Sequence, residues 1–221
     1  MSQVQECWNE YGRNIGASEE VLSKYWDIIQ SRYGEHQRFY HTLNHIEEML
    51  QYFDEVKEIL QRPELVVMAI FFHDVVYEPT RPDNEELSAK LFAEFCSEIM
   101  KENTDKDRVC DWILKTKGHV TDVTMVTGQY GCLDEHYLLD MDLAILATSP
   151  SRYNGYAEEI RKEYCHFSEQ EFSIRRSKVL KTFLERTNIF NTEHFRSKLE
   201  TKARQNLADE IKTLDAACGG T

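Results

Sequence analysis

Proline and glycine are scarce, at four and nine in 221 residues. Alternating β-branched stretches are scarce too, and together these shortages argue against a strand-and-turn architecture. No apolar run approaches the roughly 20 residues that a membrane-spanning helix needs. The opening MSQVQECWNEYG lacks the charged-then-apolar order of a signal peptide. Positive charge is in deficit: 26 Lys and Arg stand against 39 Asp and Glu, a net charge of −13. That balance argues against a nucleic-acid polymer as partner, because backbone binding rests on Lys and Arg. It still permits a small anion held by a local basic pocket or a metal. CxxC spacing is missing as well. Cys7, Cys96, Cys110, Cys132, Cys165 and Cys218 are scattered, three of them (Cys96, Cys110, Cys165) inside helical patterns. Free thiols in a reducing, cytoplasmic setting are expected.

What the chain does have is helical periodicity. Apolar content of 41% and charged content of 29% are ordinary for a soluble globular protein. The length suits a single all-α domain, a helical bundle over residues 1–221. Ser18 is placed to cap a helix carrying Leu22, Tyr25, Trp26 and Ile29. The next helix is expected from Tyr40–Thr42, with Ile46, Met49, Leu50 and Phe53 inward. Pro63 suits the first turn of a helix from Glu64 to about Val76. That helix is apolar almost all round from Leu65 to Phe72, so it should be central. Asp83 with Glu86 reads as a capping box for the following helix. Thr104 is a cap candidate for another. From Val120 to Leu133 the periodicity fails and a loop is expected, placed so that it could cover a site. Glu135–Ala147 is expected to be helical and closed by Pro150. Ser151, Ser168 with Glu171, and Asn191 or Thr192 are read as starts of three further helices.

The stretch Tyr40–Asp74 concentrates the unusual chemistry. On a helix, His41 and His45 would point the same way, being four residues apart. His73 and Asp74 stand side by side within the apolar run AIFFHDVV. Burying two such groups is costly unless something pairs with them. A metal ion satisfies histidines and an aspartate together, and mixed imidazole and carboxylate ligands suit Mn, Fe, Co, Ni or Zn, with Mg the weaker fit. Downstream, LLDMD offers Asp140 and Asp142. They lie two apart, about 200° on a helix, so both cannot face one ion, and periodicity separates them only weakly. HxxxH also invites a metalloprotease reading, but HExxH needs Glu as base, and here that position is Thr42.

The order His, His-Asp, Asp resembles the HD-domain superfamily of metal-dependent phosphohydrolases. The matching stretches are RFYHTLNHIEEML, FFHDVVYEP, DNEELSA, KTKGH, LDMDLAILA, YAEEIRKEY, RRSKVL and ARQNLADEI. They run from residue 38 to residue 211. The dipeptide alone is weak evidence, whereas the full ordered set is specific. The resemblance implies a central buried metal held by His45, His73, Asp74 and Asp142, the second aspartate of LLDMD. It implies one ion rather than two, and hydrolysis of a small phosphate ester or anhydride, a nucleotide foremost. In such a site the metal lowers the pKa of a bound water, which attacks phosphorus as hydroxide.

In the related cyclic-nucleotide phosphodiesterases, the first histidine of YHxxxH donates a proton to the leaving oxygen. His41 is the corresponding candidate general acid. The matching segments also nominate Glu85 for a site role. Lys117, His119, Arg161, Tyr164 and Arg176 are the candidates for holding substrate. Tyr153 and Tyr156 are read as core, and His36, His136, His166 and His194 lack a supporting pattern. Two rival readings stay open: a non-catalytic metal or nucleotide sensor, and a di-iron oxygenase of HD type, which would need more histidine ligands than the pattern supplies.

Overall fold

A computed structural model describes residues 2–99 and 103–218. Among these residues regular structure is entirely helical, with one isolated bridge pairing Gly131 and Thr192. Backbone contacts divide the chain into two compact units. The first takes residues up to 119 and 133–141, and the second takes 120–132 and the residues from 142 on.

The first unit is organised by its most apolar element. Helix α1 spans Gln3–Asn14, α2 Glu19–Tyr33, α3 Leu43–Val56 and α4 Pro63–Phe72. Every residue of α4 from Leu65 to Phe72 is buried. This is what an all-round apolar helix requires, at roughly 1.5–3 kcal/mol per large side chain removed from water. Aromatic rings close over it: Trp8 lies 5.3 Å from Phe71, 5.9 Å from Phe72 and 5.6 Å from Phe95 between centroids. The indole Nε1 of Trp8 donates to the Leu22 carbonyl at 3.0 Å. At the start of α4 the Asp134 carboxylate accepts from the backbone N–H groups of Gln61 and Arg62, at 2.9 and 2.8 Å. An anion there suits the positive end of the helix. Helices α5 (Asn84–Glu98) and α6 (Asn103–Thr116) complete the unit, with α7 (Asp134–Leu143) belonging to it as far as Met141.

In the second unit a 3-10 turn, Ala144–Ala147, precedes α8 (Pro150–Glu163), α9 (Glu169–Glu185) and α10 (Glu193–Cys218). Asn206 of α10 donates to the carbonyls of Leu146 and Thr148 at 2.9 and 3.0 Å, satisfying the end of the 3-10 turn. The irregular stretch expected at 120–133 is present. Its residues Thr121 and Thr124 donate to Asn191 Oδ1 at 2.6 and 3.3 Å.

Several helix ends differ from expectation for local reasons. Ser18 and Ser168 cap as expected, the latter in a full capping box with Glu171. Asp83 makes no capping bond: its carboxylate takes Arg81, and Glu86 takes Lys117. Thr104 lies inside α6, which begins at Asn103. Pro150 opens α8 at its first turn, behind a Ser149 cap, rather than closing the preceding element. Glu135–Ala147 is not one helix but α7 followed by the 3-10 turn. Thr192 accepts from Phe195 N–H at 3.3 Å and so starts α10. Cys165 falls just beyond α8. Helix α1 was not anticipated, although Val4, Trp8 and Gly12 share its buried face. The described cysteines Cys7, Cys110, Cys132 and Cys165 are free thiols.

Candidate metal centre

The HD pair sits where α4 ends. The helix stops at Phe72, and His73 takes the cap position, its N–H donating to the Ala69 carbonyl at 2.9 Å. The expected extension to Val76 fails because the next backbone groups find other partners. Val76 N–H donates to Ser88 Oγ at 3.1 Å, and Arg38 donates to the carbonyls of Asp74 and Val75 at 2.7 and 3.1 Å. His45 lies in the first turn of α3, whose cap is Thr42. His41 therefore precedes the helix, and the expected shared helical face does not exist. The turn Tyr40–Thr42 brings the two rings together instead, 6.1 Å apart.

Three side chains converge. His45 Nε2 lies 3.2 Å from His73 Nε2, and His73 Nε2 lies 3.1 Å from Asp74 Oδ2. One ligand atom from each of the three falls within 4.8 Å of the others. Both histidines are buried, at 2% and 1% exposure, while the Asp74 side chain keeps 17%. The opposite ring nitrogens are held by the protein. His73 Nδ1 faces the Ile70 carbonyl at 2.8 Å, an acceptor only, so Nδ1 carries a proton and the lone pair of the neutral form lies at Nε2. His45 Nδ1 faces the Tyr40 hydroxyl at 2.9 Å, a partner that can donate or accept.

This donor set fits a divalent ion. Two donors about 2.1 Å from one ion, at roughly a right angle, lie ~3.0 Å apart, close to the 3.2 and 3.1 Å edges seen here. The outer hydrogen bonds orient both rings, and that of His73 also fixes its tautomer, as such bonds do in metal sites generally. His41 stacks on Tyr77 at 4.1 Å and 29°, with its Nε2 3.8 Å from Asp74 Oδ2. Residues Tyr40 and Arg38 were not singled out from sequence. Both belong to the quoted stretch RFYHTLNHIEEML, but their contacts depend on tertiary approach.

The other expected site residues are placed as follows. In the first unit, Glu85 lies in the first turn of α5, 3.6 Å from Lys117 Nζ. Lys117 also donates to Glu86 at 2.8 Å and to the Pro82 carbonyl. The Glu86 carboxylate holds its ammonium above the usual lysine range. His119 takes a left-handed φ of 50° just after α6, and its N–H donates to the Lys115 carbonyl at 2.9 Å. Glycine is the usual residue in that position. In the second unit, Asp142 is half-buried. Arg161 donates to the carbonyls of Tyr164 and Phe167 at 3.0 and 3.1 Å, closing the end of α8 at its cap residue Tyr164. Arg176 donates to Glu210 at 2.9 Å, and both side chains are nearly buried, at 12% and 10% exposure.

Two buried imidazoles beside a carboxylate in an all-α protein form a group that could hold a metal ion. The family is more specific. The HD domain family model matches residues 42–144, a match consistent with the HD-domain superfamily of metal-dependent phosphohydrolases. HD domains bind divalent metals and are mostly hydrolases. No curated protein and no solved structure matches the chain. Among the described residues no helix is long and apolar enough to cross a membrane.

Proposed function

We infer that this protein is a metal-dependent phosphohydrolase acting on a small phosphate ester or anhydride, a nucleotide foremost. The observation that carries this reading is the buried triangle of His45 Nε2, His73 Nε2 and Asp74 Oδ2. Together with Asp142 as a fourth ligand, these residues would hold Mn, Fe, Co, Ni or Zn in preference to Mg. When bound, such an ion supplies Lewis acidity towards phosphoryl oxygen and an activated water.

The chain's own groups do the rest. Tyr77 holds the His41 ring by stacking, and Asp74 Oδ2 faces its Nε2. A proton on that nitrogen is in place for delivery to the leaving oxygen. Lys117 and His119 are assigned phosphate contacts and Glu85 a role beside them. Substrate contacts by Arg161, Tyr164 and Arg176 belong to the same proposal at a cost, since the hydrogen bonds they make within their unit must be replaced. The free cysteines support a reducing, cytoplasmic setting.

The test is metal analysis of purified protein, followed by a screen of phosphate esters and nucleotides for phosphate release. Activity should vanish with chelator, return with Mn2+ and fall about a thousandfold in Asp74→Ala. Two irons with oxygen uptake, or tight nucleotide binding without turnover, would overturn the hydrolase in favour of an oxygenase or a sensor.

A further inference from the structure

Arg38 is a buried cation with no role in the chemistry described so far. Its residue is 5% exposed. The guanidinium lies between two rings, 5.0 Å from the Tyr33 centroid and 5.4 Å from that of Tyr77. Its Nε donates to Glu35 at 3.2 Å, which balances the charge. The terminal nitrogens all go to backbone carbonyls. Nη2 donates to Val75 at 3.1 Å, while Nη1 donates both to Asp74 at 2.7 Å and to His41 at 3.2 Å.

That last pair of bonds is informative. One nitrogen ties the backbone of a metal-ligating residue to the backbone of the candidate acid, 33 positions apart in sequence. The carbonyls beyond the end of a helix have no intrahelical partner; Arg38 satisfies those of Asp74 and Val75, while the N–H groups of Val75 and Val76 hold the same turn to the Phe72 carbonyl and Ser88 Oγ. Tyr77 reinforces the link, since it packs on Arg38 and on His41 together. We propose that Arg38 is a positioning residue: it fixes His41 and Asp74 relative to each other and thereby sets metal affinity and proton delivery. The claim rests on the metal reading of this site. Lysine cannot replace it, because an ammonium donates from a single point and cannot span three carbonyls on a planar fork.

The experiment compares wild type, Arg38→Lys and Arg38→Ala. Mn2+ alone is titrated calorimetrically into metal-free protein, and folding is checked by circular dichroism and melting in chelator. Arg38→Lys keeps the charge beside Glu35 and should stay folded. Its Mn2+ Kd should rise roughly 10–100-fold, the usual consequence of losing an outer-shell partner. On a phosphate ester that wild type hydrolyses, kcat should fall by a comparable factor with KM moving less. Guanidinium ion should restore part of the Mn2+ affinity of Arg38→Ala. A folded Arg38→Lys that binds Mn2+ within about twofold of wild type overturns the proposal, and so does an Arg38→Lys that cannot fold at all, which would make Arg38 a residue of the scaffold only. Wild-type protein that binds no Mn2+ instead overturns the metal reading itself.

Discussion

The candidate metal centre of the first unit and the buried polar cluster of the second meet the cost of burial in opposite ways. In the second, buried polar groups answer one another. Arg176 faces Glu210, Tyr153 donates to the same carboxylate, and Asn206 donates to two carbonyls. Burial together with that carboxylate pushes the Tyr153 phenol far above its ordinary pKa, so it remains a donor. In the first unit, groups of like character meet. Two imidazole Nε2 atoms stand 3.2 Å apart with a carboxylate oxygen 3.1 Å from one of them. Burial costs free energy unless complementary partners offset it. The second unit offsets the cost from within. In the first, a proton shared between the rings or a cation would offset it, and a cation would answer the carboxylate as well as both rings. Among the described residues this is the group of side chains suited to hold one.

The contrast breaks most visibly at Asp74. Asp74→Ala should cost about three orders of magnitude in phosphate release, the equivalent of several kcal/mol of Lewis-acid stabilisation at ~1.4 kcal/mol per decade. Mass spectrometry should find the purified variant depleted of metal, while melting in chelator should match wild type. Equal melting losses with and without chelator would make the carboxylate a part of the fold instead. The matching change in the second unit is Glu210→Gln. It strands the Arg176 charge and should cost about 3 kcal/mol in urea unfolding, the low end for a buried pair because both side chains retain some exposure. Mn2+ affinity should not move. If KM rises while stability holds, Arg176 contacts substrate and the two units do not divide their work in this way.

The convergence of His73 and Asp74 with His45 was legible because a polar pair within the apolar run AIFFHDVV calls for partners. Ser18 and Ser168 were legible because capping is local. What was hidden depends on chain segments meeting. Asp83 and Glu86 fit a capping box in spacing, but Arg81 and the distant Lys117 claim both carboxylates. Arg38 was not singled out, because its partners Asp74 and Val75 lie in the turn after α4, far along the chain. Helix α1 carries only a thin apolar face, and its Gly12 is explained by α2, since a Cβ there would collide with Leu22. His41 and His45 converge through a turn, which fixed spacing on a helix could not show.

Tyr40 sharpens the comparison further. Without an ion, the pair is satisfied when His45 carries its proton on Nε2, donates to His73, and accepts from the Tyr40 hydroxyl at Nδ1. Coordination requires the opposite tautomer, with Nδ1–H donating to the Tyr40 oxygen. Tyr40→Phe removes that acceptor. Mn2+ Kd should rise about 10–100-fold by calorimetry, with little change in melting under chelator. An unchanged Kd would mean that the hydroxyl only fills space and that the first unit needs no outer partner.

The smallest effect belongs to the second unit, where the satisfaction of polar groups is local. Ser168→Ala removes a helix cap and should cost about 1 kcal/mol near pH 7. The same hydroxyl, with the Ser168 backbone N–H, holds the Glu171 carboxyl below its ordinary 4.5. An acid whose folded pKa is depressed adds stability above its unfolded value and loses that stability as pH falls through the folded one. The gap between wild type and Ser168→Ala should therefore be full above about pH 4.5, then narrow as Glu171 protonates in both proteins. Urea unfolding at a series of pH values measures this directly. A gap that stays constant through that range would show that Glu171 is held down without Ser168, and a change in Mn2+ affinity would show that the capping box of α9 and the metal centre are not independent.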